Sequence, residues 1–188
     1  MERGDIDIDV ANRDLALKKL NHIPASMITD DIRKHNTGVY FHNAPIDPLT
    51  GYCSIDYRAA ETNGLYKIDI LNVGLYEQIK TEEHLNEMMA DPKWENLDNF
   101  DFFTKLIHIK NHYKTYCELP EKIRSIDQLA MFLAIIRPGK KYLQGKPWSE
   151  IEKEVWSKNS DEYMFHKPHA ISYAYLVVVN MNLESENI

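Results

Sequence analysis

The sequence predicts an α+β fold with a small mixed or antiparallel sheet first, helices packed on one side of it, and a mainly helical second half. Polar and apolar residues alternate at 5–10 and again at 65–71, which is the two-residue period of a strand. From residue 73 onward, apolar residues recur at helical spacing. Strands that precede helices favour α+β over a doubly wound sheet. At 188 residues the chain is expected to form one domain, with the strands in 1–75 and the helices in 76–188.

The first strand is predicted at 5–10, where the sequence reads D-I-D-I-D-V. A strand with this pattern has carboxylates on one face and isoleucines on the other, so Asp7 and Asp9 share a face at a spacing of roughly 7 Å. Asn12 is placed to cap a following helix. The apolar contacts of that helix are expected from Leu15, Leu17 and Leu20.

Two further strands are predicted at 38–42 and 65–71. Proline, aspartate and glycine follow the first of them and indicate a turn. The second reads L-Y-K-I-D-I-L, an alternation that places Lys67 and Asp69 on the same face. If this strand pairs beside the first one, three carboxylates converge.

The second half of the chain has the spacing of helices. Residues 73–90 and 100–117 are predicted as amphipathic helices separated by an Asp–Pro break. The strongly apolar stretch 126–136 predicts a buried helix that ends before Pro–Gly. The remaining predictions are a helix at 149–158, capped by Ser149 with Glu152 three residues later, and an apolar helix or strand at 169–180.

Composition and charge narrow the function without fixing it. The net charge of −7 and the pI near 5.6 argue against tight, autonomous binding of duplex DNA. Positive residues nevertheless gather at 105–114, 137–146 and 153–158, which leaves room for a local basic groove. The two cysteines have no metal-ligand spacing. No signal peptide or membrane-crossing apolar run is present, so a cytoplasmic location without a membrane partner is predicted.

Three carboxylates on one strand face repel each other, and each is costly to bury unpaired. A divalent cation such as Mg²⁺ reverses that balance because it prefers hard oxygen ligands. Asp7, Asp9 and Asp69 together would suit a two-metal site for phosphoryl transfer. The alternative is an exposed polar edge strand with its carboxylates in water. Nucleases, phosphatases and polymerases share such carboxylate pairs, so the motif alone leaves the substrate open.

Five segments, in order along the chain, resemble motifs of the bacterial C-family DNA polymerase III alpha subunit. D-I-D-I-D-V-A-N-R-D resembles its P-D-x-D-x-D-F…R-D, and G-L-Y-K-I-D-I-L resembles its G-L-V-K-x-D-F-L. The other three are similar to K-H-A-G-G-V, F-E-D-L-I-A-L-V-A-L-x-R-P-G and F-N-K-S-H-A-A-A-Y-A. In this chain the five segments are 5–14, 34–39, 64–71, 126–139 and 165–174.

The resemblance implies a palm of the nucleotidyltransferase type and a fingers-like remnant in the helical half. Asp7, Asp9 and Asp69 would then be catalytic and would bind Mg²⁺ or Mn²⁺. The substrates implied are a DNA primer–template and dNTPs. The resemblance also implies nucleotide or DNA binding by Lys67, Arg137, Lys167 and His169. Simpler roles remain open, since Arg137 could cap a helix C-terminus and His169 could be a packing residue.

The chain resembles a strongly shortened relative of that subunit, of the kind a bacteriophage encodes, which would place it in a bacterial host cytoplasm. Only residues 10–33 separate Asp9 from Lys34, where the family has a whole thumb. Three functions are therefore open. The chain could be a minimal nucleotidyltransferase, or one piece of a split polymerase that needs a second polymerase or replication subunit. The third is a non-catalytic mimic of the polymerase core that engages replication proteins.

Overall fold

The computed structural model describes residues 6–157 and 165–186. The chain divides into two compact units, residues 1–79 and 80–188. In the described residues, four strands form one small mixed sheet in the first unit and helices make up most of the second, which confirms the α+β prediction. Within the described part of the chain, no helix is both long enough and apolar enough to cross a membrane.

The first unit carries the sheet, in the strand order β1-β4-β3-β2. β1 runs parallel to β4, whereas β4 and β3, and β3 and β2, pair antiparallel. The elements are β1 (Ile6–Val10), α1 (Arg13–Lys18), β2 (Ile23–Ile28), β3 (Ile32–Tyr40), α2 (Tyr57–Thr62), β4 (Ile68–Asn72) and a 3-10 helix (Gly74–Gln78).

β1 and α1 follow the sequence prediction closely. The predicted strand at 5–10 is confirmed for Ile6–Val10, and Asp5 lies outside the described residues. Asn12 caps α1 as predicted, its side chain accepting a hydrogen bond from the Leu15 N–H at 3.1 Å. Leu17 packs with Val39 and Ile70 in a small core cluster. Leu15 and Leu20 do not belong to the buried core: each is about half exposed, and Leu20 lies beyond α1, which ends at Lys18.

The other strands depart from prediction in their bounds. β3 starts at Ile32, six residues before the predicted 38–42 strand, because it forms a hairpin with β2, which was not predicted. The β2 sequence I-P-A-S-M-I has no two-residue period. β4 starts at Ile68 instead of residue 65 because the Leu65 N–H closes α2 by donating to the Ala60 carbonyl.

The second unit is helical and encloses the largest hydrophobic core, which includes most of α6 and the buried face of α8. Its α-helices are α3 (Glu82–Met88), α4 (Phe100–Phe103), α5 (Tyr113–Cys117), α6 (Ile126–Ile135), α7 (Trp148–Glu154) and α8 (Lys167–Glu186). Two 3-10 helices, Trp94–Asp98 and Pro138–Leu143, connect them.

The buried helix predicted at 126–136 is confirmed as α6, and the 169–180 segment is the helix α8. The continuous helices predicted at 73–90 and 100–117 are wrong. The first is split where Thr81 caps α3, and the second is interrupted after α4.

The predicted capping box at Ser149 is also wrong. α7 begins at Trp148, with Pro147 at the N-cap position and no side-chain cap. The helix ends at Glu154, and Lys158, the predicted end, lies outside the described residues.

Candidate functional site

The three aspartates share one face of the sheet, named here the carboxylate face. Asp7 in β1 lies directly opposite Asp69 in β4 because the two strands are parallel neighbours in register. Adjacent strands are about 4.8 Å apart, and residues two apart in one strand point the same way, so Asp9 lies on this face as well. Sequence periodicity predicted the shared face of Asp7 and Asp9, and the parallel pairing adds Asp69 to it.

Asp69 is the buried member of the group, with 7% of its surface exposed. The Thr37 hydroxyl donates to its Oδ1 at 2.6 Å. The Lys67 ammonium donates to its Oδ2 and forms an ion pair with it. A buried carboxylate needs such partners, since an unpaired one would be strongly destabilising. Both oxygens of Asp69 are therefore engaged by side chains of the same unit.

β3 is the second neighbour of β4, and its Gly38 lies opposite Asp69. A Cβ added at Gly38 would lie 2.6 Å from Lys67 Cδ and 2.9 Å from Lys67 Cγ. The same Cβ would be 3.0 Å from Nδ1 of His35. The methylene chain of Lys67 thus crosses the backbone at a position where only glycine leaves room for it.

His35 makes local hydrogen bonds within β3 beside Asp69. Its Nδ1 accepts hydrogen bonds from the backbone N–H of Gly38 at 2.9 Å and of Thr37 at 3.3 Å. That nitrogen lies 3.9 Å from Asp69 Oδ1 and, as an acceptor of N–H groups, does not donate to it. The ring meets Tyr57 edge-on with centroids 4.8 Å apart. His35 therefore positions Thr37 and Gly38 around the carboxylate.

Arg13 holds the strands on both sides of this position. Its Nε donates to the Ile70 carbonyl at 3.1 Å and one terminal nitrogen donates to the Thr37 carbonyl at 3.2 Å. Its backbone N–H donates to Asn72 Oδ1 at 2.9 Å. Sequence reasoning gave Arg13 and Thr37 no role, although both lie within the quoted motifs, and only the three-dimensional contacts show what they do.

The electrostatics of the carboxylate face favour a positive charge. Partial burial, and then the nearby charge of Asp7, raise the pKa of Asp9 above its ordinary value. Burial and the charge of Asp9 likewise raise the pKa of Tyr76, which lies in the 3-10 helix after β4. A bound cation would relieve the repulsion between Asp7 and Asp9.

The carboxylate face suits a hard divalent cation by its donor chemistry. Three carboxylates on adjacent strands supply the oxygen ligands that Mg²⁺ and Mn²⁺ prefer. Over residues 6–157 and 165–186, no cluster of three or more His, Cys, Asp or Glu side chains is already arranged to hold a metal ion. Each oxygen of Asp69 already accepts one side-chain hydrogen bond, and the Lys67 ammonium at Oδ2 would compete with a cation bound there.

Three other residues with an expected role, Arg137, Lys167 and His169, lie in the second unit. Arg137 follows α6, is exposed, and places its guanidinium over the Phe165 ring, 5.2 Å from the centroid. Partial burial and the charge of Arg137 both lower the pKa of His108.

Lys167 and His169 belong to the first turn of α8. Lys167 is exposed and lines a cavity of about 420 Å³, whose other lining residues include Asp127 and Glu152. His169 is half-buried, with its ring 6.3 Å from that of His166. Lys67 alone among the four expected cationic residues lies in the unit that carries the aspartates.

Comparison of the whole chain with protein-family profiles, with curated proteins and with solved structures found no match.

Proposed function

We propose that this chain is a metal-dependent nucleotidyltransferase related to the catalytic core of the DNA polymerase III alpha subunit. It would transfer nucleotides to a primer 3′-OH on a nucleotidyltransferase-type palm. The observation that supports this most is the register of β1 and β4, which sets Asp7 opposite Asp69 with Asp9 on the same face. The ordered resemblance of five segments to that family supplies the substrate class.

In this proposal Asp7, Asp9 and Asp69 hold Mg²⁺ or Mn²⁺. Bound ions of this kind activate an attacking hydroxyl and neutralise charge that develops on the transferred phosphate. The chain's own contribution is positional. Thr37 fixes the Asp69 carboxylate through Oδ1, and Arg13 fixes the two strands beside it. Small displacements of reacting groups are costly, so this support matters for rate.

The remaining expected residues, Lys67, Arg137, Lys167 and His169, are proposed to bind the triphosphate or the template backbone. Guanidinium and ammonium groups suit phosphate oxygens. The net charge of −7 favours a partner chain that brings further positive surface to the DNA. A second polymerase or replication subunit is therefore part of the proposal.

One observation favours a second function, a non-catalytic mimic of the polymerase core that binds replication proteins. Lys67 neutralises the charge of Asp69, and Thr37 donates a hydrogen bond to its other oxygen, without any metal ion. A binding surface could retain the carboxylates as its recognition feature. Metal binding and catalysis separate the two functions.

Primer extension tests the proposal. The purified chain is mixed with a labelled primer–template, four dNTPs and Mg²⁺ or Mn²⁺, and compared with an Asp7→Ala/Asp9→Ala variant. The matched control is Asp30→Ala/Asp31→Ala, which removes two exposed carboxylates from the β2–β3 turn. We expect extension by the wild type and the control, and none by the first variant.

The other outcomes are equally informative. Metal binding without extension would indicate that a partner chain completes the enzyme. Absence of both extension and metal binding would favour the mimic.

A further inference from the structure

The contacts of the Lys67 side chain indicate a role in addition to phosphate binding. Its stem runs past Gly38, where an added methyl group would collide with Cγ and Cδ, and its ammonium reaches Asp69. The side chain is largely shielded, with 14% of it exposed. A lysine that served only an incoming phosphate would not need a glycine to bring it down onto a carboxylate.

We infer that Lys67 is a tethered cation, which occupies Asp69 in the metal-free protein and competes there with a divalent ion. The inference rests on the proposed metal site and concerns how that site is kept intact before metal arrives. Asp69 is the most buried of the three carboxylates, so it has the greatest need for a positive partner. A partner two residues earlier in the chain, immediately before the start of β4, is always available at that position.

The exchange also links the metal to a later step. A divalent ion at Asp69 Oδ2 would displace the Lys67 ammonium from that oxygen, and no hydrogen-bond donor would be lost from Oδ1, because Thr37 donates to that oxygen separately. Metal binding would thereby make Lys67 available to a phosphate.

Calorimetry with Mn²⁺ alone tests this on the full chain. The competing cation is removed in Lys67→Met, and we expect Mn²⁺ to bind that variant about tenfold more tightly than the wild type. Lys34→Met, an exposed lysine on β3, is the matched control and should bind like the wild type. Lys67→Arg retains a cation, so its affinity for Mn²⁺ should stay as low as that of the wild type. Lys67→Gln replaces the Met variant if the latter does not fold.

A second measurement separates competition from a purely structural role. Without metal, the melting temperature of Lys67→Met should be below that of the wild type, and Mn²⁺ should raise it more than it raises the wild type. Equal Mn²⁺ affinity in the wild type and Lys67→Met, or no binding by either, would overturn the inference. Tighter binding by the variant without primer extension by the wild type would retain the inference and reject the proposed activity of the isolated chain. Primer extension without tighter binding would do the reverse.

Discussion

Gly38 is a residue whose replacement should be costly for a specific reason. A Cβ at this position would overlap the middle of the Lys67 stem, not its mobile end. We therefore expect Gly38→Ala to lower the free energy of unfolding by roughly 1–3 kcal/mol, as overpacking does elsewhere. Urea denaturation of the metal-free protein measures the change.

Gly74→Ala is the matched control for this substitution. No heavy atom lies within 4 Å of a Cβ built at Gly74, and its backbone is not left-handed. The free energy of unfolding of the Gly74→Ala variant should differ from that of the wild type by less than about 1 kcal/mol. Equal losses in both variants would show that the crossing of Lys67 over Gly38 contributes nothing to stability.

The sequence alone places some of the individual residues of the site correctly relative to one another. The two-residue period places Asp7 with Asp9, and Lys67 with Asp69, without any structure. It does not show that Thr37, Gly38 and Arg13 surround Asp69, because those contacts join residues far apart in the chain. Periodicity describes one strand at a time, whereas a buried carboxylate is stabilised by its neighbours in other strands.

Among the elements, Asp56 joins α2 to β2. Its Oδ1 accepts the Arg58 N–H at 3.0 Å and caps α2, while its Oδ2 accepts the Ile28 N–H at 2.8 Å. The bond from Ile28 is the largest cause that lowers the pKa of Asp56 below 3.8. A carboxyl whose pKa is lowered by folding contributes stability above its unfolded pKa, and this is lost as the pH falls through the folded pKa.

Asp56→Ala should therefore cost about 1 kcal/mol at neutral pH, the usual effect of losing an N-cap. The difference from the wild type should shrink as the pH falls below about 4, because the carboxyl of the unfolded wild type binds a proton there, and the folded one does so only at a lower pH. Chemical denaturation at pH 7 and pH 3 measures both values. Asp56→Asn, which keeps one acceptor oxygen, should show a weaker pH dependence. A difference that is the same at both pH values would contradict the linkage.

Prediction of elements succeeded where burial is continuous and failed where distant contacts decide. The apolar run of α6 requires a buried helix, and one is found. The spacing at 100–117 also indicates a helix, but His108 takes a left-handed conformation at φ 62°. Just before it, the Ile107 N–H donates at 2.8 Å to Oδ1 of the buried Asn180 in α8. A bond to a residue so far along the chain leaves no trace in local periodicity.

At the scale of the whole molecule, the two units differ in how much core they carry. The main hydrophobic cluster lies within the second unit, between Trp94 and Met181. Among its described residues, 6–79, the first unit holds two small clusters of three or four buried residues. Small cores give small stability, because the surface buried on folding rises with size.

Residues 80–188 produced alone should therefore unfold cooperatively, with a helical circular dichroism spectrum and a single thermal transition. Residues 1–79 produced alone should be markedly less stable in the same buffer. A fragment 80–188 without a cooperative transition would show that its core depends on the rest of the chain.

The position of β1 at the edge of the sheet affects how readily this strand opens locally. Within the described residues β1 has β4 as its sole strand neighbour, and its Ile6 and Ile8 are about half exposed. Edge segments with little burial open with a lower free energy than the strands they pair with. We expect backbone amides of β1 to exchange with deuterium faster than those between β3 and β4, as proton–deuterium exchange by NMR would show. Equal protection across all four strands would contradict this. If β1 exchanges faster as expected, local opening of β1 would move Asp7 and Asp9 away from Asp69 for short times, while the strand that carries Asp69 stays folded.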